Sequence, residues 1–138
     1  MIEEKRQLLH PICAALVKAY NLLQQKGEVS FPVHEEHIQK LDSIVKTVNA
    51  NYFGKVRFPT EEDRAAAYLC FIIKDHPMTD GNKRLAVLWF EIYCEVFELS
   101  IKLPSHITLD ELAVAIEQEK GLDIYEIVGL VRVGCFGY

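Results

Sequence analysis

Apolar positions recur along this chain at helical rather than alternating spacing. Leu8, Leu9, Ile12, Cys13, Leu16, Val17, Tyr20 and Leu23 make one stripe over Ile2 to Lys26 and predict a first amphipathic helix, kinked or restarted at Pro11 and closed by Gly27. Ile38, Leu41, Ile44, Val45 and Val48 predict a second, over His34 to Val48, with those five side chains buried. From Asn51 to Phe58 the period breaks into aromatics and Val around Gly54, which reads as a loop or a small β-hairpin. Thr60, with Asp63 three residues on, is an acidic capping arrangement that opens the next helix. In that helix Ala65, Ala66, Ala67, Leu69, Cys70, Ile72 and Ile73 are apolar around most of the circumference, so it is the central one. Pro77 biases His76 away from the helical region and should stop the helix at about Asp75.

Leu85, Leu88, Trp89, Ile92, Tyr93 and Val96 start another helix at about Gly81 or Asn82 and carry it to about Leu99. Thr108 with Glu111 has the spacing of a capping box for a helix from Leu109 to about Glu119, ended by Gly121. Ile124, Ile127, Val128 and Val131 mark a last short helix. Repeats, linkers and low-complexity runs are absent, so residues 1–138 read as a single all-α domain, long enough to bury a core without disulfide or metal staples.

A net charge of −5 argues against broad binding to nucleic acid or an anionic membrane, either of which needs a basic face. Lys5 and Arg6 ahead of the apolar run Leu8 to Val17 imitate a secretory signal, but Glu3, Glu4, His10 and Pro11 interrupt both its charged end and its apolar core. The expectation is a soluble, cytoplasmic protein. Cys13, Cys70, Cys94 and Cys135 never form a CxxC pair and are expected to be reduced core thiols. His34 and His37, beside Glu35 and Glu36, are expected on the helix surface, since no third metal ligand lies nearby in sequence.

Most of the chemistry lies in nine residues, His76-Pro77-Met78-Thr79-Asp80-Gly81-Asn82-Lys83-Arg84, at a helix-loop-helix junction. His76 titrates near physiological pH and can take a proton from a hydroxyl, as a general base. Asp80 is a hard oxygen ligand suited to Mg²⁺ shared with substrate phosphates. Gly81 lets backbone approach an anion closely, while Asn82, Lys83, Arg84 and the unsatisfied N–H groups of the helix start can stabilise phosphate charge. Base, metal ligand and phosphate cradle together point to phosphoryl or nucleotidyl transfer. A nucleotide-binding module without catalysis would keep the same cradle, and a helix-turn-helix DNA binder would share the size and helicity but lacks a basic recognition face.

With His76, Pro77, Asp80, Gly81, Asn82, Lys83 and Arg84 in this order, the chain resembles the Fic/Doc (Fido) family, whose motif is approximately His-Pro-Phe-x-Asp/Glu-Gly-Asn-Gly/Lys-Arg. The resemblance covers roughly Asn51 to Glu98. It implies a Fic-type helical bundle with a short β-hairpin flap at about Asn51 to Phe58, and ATP or another nucleotide with Mg²⁺. The implied reaction is transfer, usually of AMP, to a Ser, Thr or Tyr hydroxyl of a target protein held along the flap. By the same resemblance His76 is the base, Asp80 the metal ligand, and Gly81, Asn82 and Arg84 bind phosphate.

The chain also departs from the family pattern. Met78 stands for the usual Phe and is expected to anchor the loop in the core. Lys83 stands where AMP-transferring members have Gly, and Val87 where they carry a further Arg; Lys resembles the Doc branch, toxins of toxin-antitoxin pairs that act as protein kinases. Asp80-Gly81 matches the AMP-transferring branch. No Ser or Thr from Ser30 to Thr108 has Glu four residues later, so the family's inhibitory pattern is absent. The resemblance then implies an antitoxin-like inhibitor acting in trans, or no restraint.

Overall fold

A computed structural model describes residues 25, 35–78 and 81–137. Apart from helical Gln25, the first predicted helix lies outside these residues, as do His34, Cys13, Thr79 and Asp80. The described chain runs α1 (Glu35–Val48), β1 (Asn51–Tyr52), β2 (Lys55–Val56), α2 (Glu61–Asp75), α3 (Asn82–Val96), α4 (Leu109–Gln118) and α5 (Ile124–Phe136). The fold is all-α with one two-stranded antiparallel hairpin, in register Asn51↔Val56 and Tyr52↔Lys55.

The centre is α2, which packs against all four other helices. Its nine consecutive residues from Ala65 to Ile73 are buried, as a helix apolar all round requires. Thr60 and Asp63 close a reciprocal capping box at its start: Thr60 Oγ1 accepts from Asp63 N–H at 3.0 Å, and Asp63 Oδ2 accepts from Thr60 N–H at 3.3 Å. Small side chains at 65–67 let neighbouring backbones approach. Tyr68 then meets Trp89 and Tyr93 of α3, with ring centroids 5.1 and 5.4 Å away. Each such fully buried large side chain contributes about 1.5–3 kcal/mol relative to exposure, which makes the α2–α3 contact the main stabilising surface near the site.

The face of α1 differs by one position from expectation. Ile38 is 48% exposed, whereas His37 is 3% exposed, with Nε2 3.8 Å from Glu36 Oε1. The buried set 37, 41, 44, 45 and 48 is still one helical stripe, turned so that an imidazole, not Ile38, fills its first position. Thr108 Oγ1 accepts from Glu111 N–H at 3.1 Å to start α4, as its spacing predicts. The last helix is longer than the short one expected, with 13 residues, because Asp123 caps it through Glu126 N–H at 2.9 Å. The α3 helix ends at Val96, and Leu99 N–H returns to Cys94 O at 2.7 Å while Glu98 adopts φ 56°. This is the closing geometry in which glycine usually serves.

Cys70, Cys94 and Cys135 are buried and free. Burial pushes all three thiols up, Cys94 to about 12 and Cys135 to about 11, so they pack as inert core residues. Among the described residues no helix is long and apolar enough to cross a membrane, and no group of three His, Cys, Asp or Glu side chains could hold a metal ion.

Candidate active site

The C-terminal end of α2 and the first turn of α3 build the site. As expected, α2 stops at Asp75, but the residue before Pro77 takes an unexpected conformation. His76 is the C-cap, with φ 48° and ψ 60°, in the left-handed region instead of the extended one that a following proline favours. A non-glycine residue held there costs on the order of 1–2 kcal/mol. The turn ends the helix abruptly, leaving His76 exposed while Pro77 and Met78 fold back and are buried, Met78 to 4% exposure. Met78 therefore anchors the loop in the core, as its apolar character predicted.

Gly81 is the N-cap of α3, with φ 76° and no side-chain capping bond. In contrast, α2, α4 and α5 each carry a side-chain cap, from Thr60, Thr108 and Asp123. The first N–H groups of α3 are therefore not taken by a cap, and a glycine there leaves room for close approach. This donor set fits an anionic phosphate. Asn82 contributes differently from a direct phosphate ligand: its Oδ1 accepts from Met78 N–H and its Nδ2 donates to Met78 O, both at 2.9 Å, so its amide ties the loop into a closed ring.

Lys83 is engaged rather than free at the helix entrance. Its Nζ lies 3.1 and 3.0 Å from Glu117 Oε1 and Oε2, across 34 residues of sequence. The hydrogen bond from Lys83 holds the Glu117 carboxyl below its ordinary value, with His76 adding to the same effect. Lys74 donates to Glu119 O at 2.5 Å and Glu117 O at 3.4 Å, so two lysines from the site's own helices pin the C-terminal turn of α4 beside it. No local signal in the sequence marks Glu117 or Glu119 for this position. Arg84 is exposed on the first turn of α3.

The hairpin precedes the site in sequence. Its turn places Phe53 at φ 52° and Gly54 at φ 79°, the double left-handed geometry of a tight two-residue connection, with the Phe53 ring fully exposed. At the hairpin's root the Arg57 guanidinium lies 3.6 Å from the Tyr125 ring centre, and buried Phe58 stacks on the same ring at 6.2 Å. The C-terminal helix thus helps to hold the base of the hairpin.

A family model described as the Fic/DOC family matches residues 6–94. That span takes in α1, the hairpin, α2 and nearly all of α3, and leaves out α4 and α5, which supply Glu117 and Tyr125. No curated protein and no solved structure matches the chain.

Proposed function

The chain belongs to the Fic/DOC family, and on that premise we propose that it transfers AMP, or another nucleoside monophosphate, from a nucleoside triphosphate such as ATP to a Ser, Thr or Tyr hydroxyl of a target protein. The observation that carries this reading is the juxtaposition of an exposed His76, ending α2, with the side-chain-uncapped start of α3 at Gly81, the two joined by the Asn82–Met78 bridge. His76 takes the proton as the hydroxyl oxygen attacks the α-phosphorus. The bond to the bridging oxygen breaks, and diphosphate leaves. N–H groups at Gly81 to Lys83, with Arg84, stabilise phosphate charge. Asp80 would hold Mg²⁺, which supplies neutralisation of the phosphate oxygens.

The hairpin's edge supports docking of an extended target segment by added strand pairing, which needs little from the target's sequence. A second reading, transfer of the γ-phosphate, is favoured by Lys83 and by the missing cation at Val87. The Glu117 carboxylate favours the first, because it draws Lys83 aside and neutralises it, which reopens the helix entrance to a leaving diphosphate. The cell compartment proposed is the cytoplasm, and restraint, where needed, would come from an antitoxin-like protein in trans.

The test is parallel incubation with Mg²⁺, a cell lysate and ATP labelled at the α- or the γ-phosphate, using wild type and His76→Ala. Label on protein from the α-position, lost in His76→Ala, is expected. Label from the γ-position alone would establish the kinase reading, and no His76-dependent label from either would leave a binding module. Asp80→Ala is expected to remove the Mg²⁺ dependence of ATP binding, measured by titration.

A further inference from the structure

A cleft of about 230 Å³ lies on the α1 side of the His76 turn, lined by Lys40, Ser43, Ile44 and Thr47 of α1 and by Asp75 and Pro77. The reaction proposed above gives it no task. Its α1 residues fall on one stripe at spacings of three and four, so a continuous helix face forms one wall. Asp75 and Pro77 flank His76 in sequence, which puts the cleft beside the base.

The cleft's electrostatics point to a cation. Thr47 lies in the last turn of α1 and Asp75 is the last residue of α2, so two negative helix ends border one cavity. The basic residues that would ordinarily offset those ends are committed elsewhere. Lys46 pairs with Asp42 at 2.9 Å, and Lys74 is bound to the carbonyls of α4. An Asp at a helix C-terminus opposes the dipole, yet among the described residues its carboxylate has no salt bridge and no side-chain hydrogen bond, even though Lys40 lines the same cleft. Burial raises its carboxyl above the ordinary value, consistent with a charge that lacks a partner. Ser43 and Thr47 spend their hydroxyl hydrogens on Gln39 O and Ser43 O, at 3.0 and 2.9 Å, so they turn acceptor lone pairs outward. Ile44 and Pro77 add an apolar surface, and the volume is far larger than a bare metal ion needs.

We propose that this cleft is a recognition pocket for an arginine side chain of the target protein, with its guanidinium on Asp75 and the Ser43 and Thr47 hydroxyl oxygens and its flat face against Ile44 and Pro77. A planar fork of five donors meets a carboxylate and two hydroxyl acceptors, and the apolar lining suits a weakly hydrated cation better than a compact ammonium. The pocket rests on the transferase reading for its purpose, since it selects which hydroxyl is carried to His76. Its binding chemistry stands apart from that reading.

The experiment is an NMR titration of the full-length protein with Nα-acetyl-arginine amide, and with Nα-acetyl-citrulline amide, the neutral near-isostere. Expected are saturable shifts at the Ser43, Thr47 and Asp75 amides with arginine, at least about tenfold weaker binding of citrulline, and a similar loss in Asp75→Asn, as follows from losing a charge-assisted hydrogen bond. Lys40→Gln should tighten arginine binding roughly twofold to threefold by removing a like charge at the rim. Equal binding of citrulline, unchanged affinity in Asp75→Asn, or weaker binding in Lys40→Gln would each overturn the pocket. In a second arm, ATP-dependent labelling of serine peptides with arginine scanned along them is compared with the same peptides carrying citrulline. A preference for arginine at one spacing, lost in Asp75→Asn, supports the selection role, and equal labelling overturns it. Binding without labelling of any peptide refutes the transferase reading and leaves the pocket standing.

Discussion

Replacing Asn82 by Ala tests whether the loop between the base and the phosphate cradle is held by one side chain. The Asn82 amide makes two 2.9 Å bonds to a single residue, Met78, whose side chain is almost wholly buried. Truncation strands one N–H and one C=O at a half-buried position. Two such hydrogen bonds at about 0.5–1.5 kcal/mol each give a loss of about 1–3 kcal/mol. For a chain of this length that corresponds to a fall in melting temperature of roughly 3–10 °C. Asn82→Asp keeps the acceptor for Met78 N–H and loses the donor to Met78 O, while gaining favourable charge at a helix N-terminus, so it should fall between Ala and wild type. Activity should drop more than stability does, because a misplacement of about 1 Å in a positioned site can cost on the order of a hundredfold. Thermal denaturation by circular dichroism, with transfer assayed well below the melting temperature, checks both. A wild-type melting temperature in Asn82→Ala would refute the claim that this amide closes the loop.

Three further outcomes follow from the geometry. His76→Gly should abolish transfer yet raise stability by about 0.5–1 kcal/mol, since glycine accepts the left-handed conformation without strain; a lowered melting temperature would contradict this. Glu98→Gly, far from the chemistry, should stabilise by a similar ~0.5–1 kcal/mol through the α3 terminus and leave activity unchanged, as read from denaturant midpoints. Because Glu117 is depressed by its bond to Lys83, its stabilising effect is present above its unfolded value near 4.5 and is lost as pH falls through the lower folded one. The melting-temperature deficit of Lys83→Met should therefore be seen at neutral pH and vanish on acidification, and a deficit independent of pH would count against the pair.

What was legible in the sequence was local. The Thr60–Asp63 box, the break at Asp75, the hairpin around Gly54 and the buried Met78 each depend on a few adjacent residues whose own preferences agree. Where the answer depended on distant packing, local reading failed. Hydrophobicity alone assigns Ile38 inward and His37 outward on α1, and the rotation that reverses them is set by what the helix packs against. Lys83 looked like a free cation at the phosphate entrance because nothing near it in sequence opposes it; its carboxylate arrives on α4. The left-handed His76 was hidden for another reason. Proline restricts its predecessor toward extended backbone, and only the anchoring of Met78 and the Asn82 bridge demand the tighter reversal. Asp80, the metal ligand of the sequence reading, lies among the residues not described.

The unbroken burial of Ala65 to Ile73 has a kinetic side. Amide protons in such a segment trade with deuterated solvent only when the whole domain opens, whereas those of a two-residue-per-strand hairpin escape through small local openings. His76 hangs directly from the slow segment, and the edge offered to a target belongs to the fast one. The protein thus divides its timescales: the group that must be in register with a phosphorus atom is carried by the part that almost never moves, and the surface that must accommodate an incoming chain is free to adjust thousands of times between those rare global events.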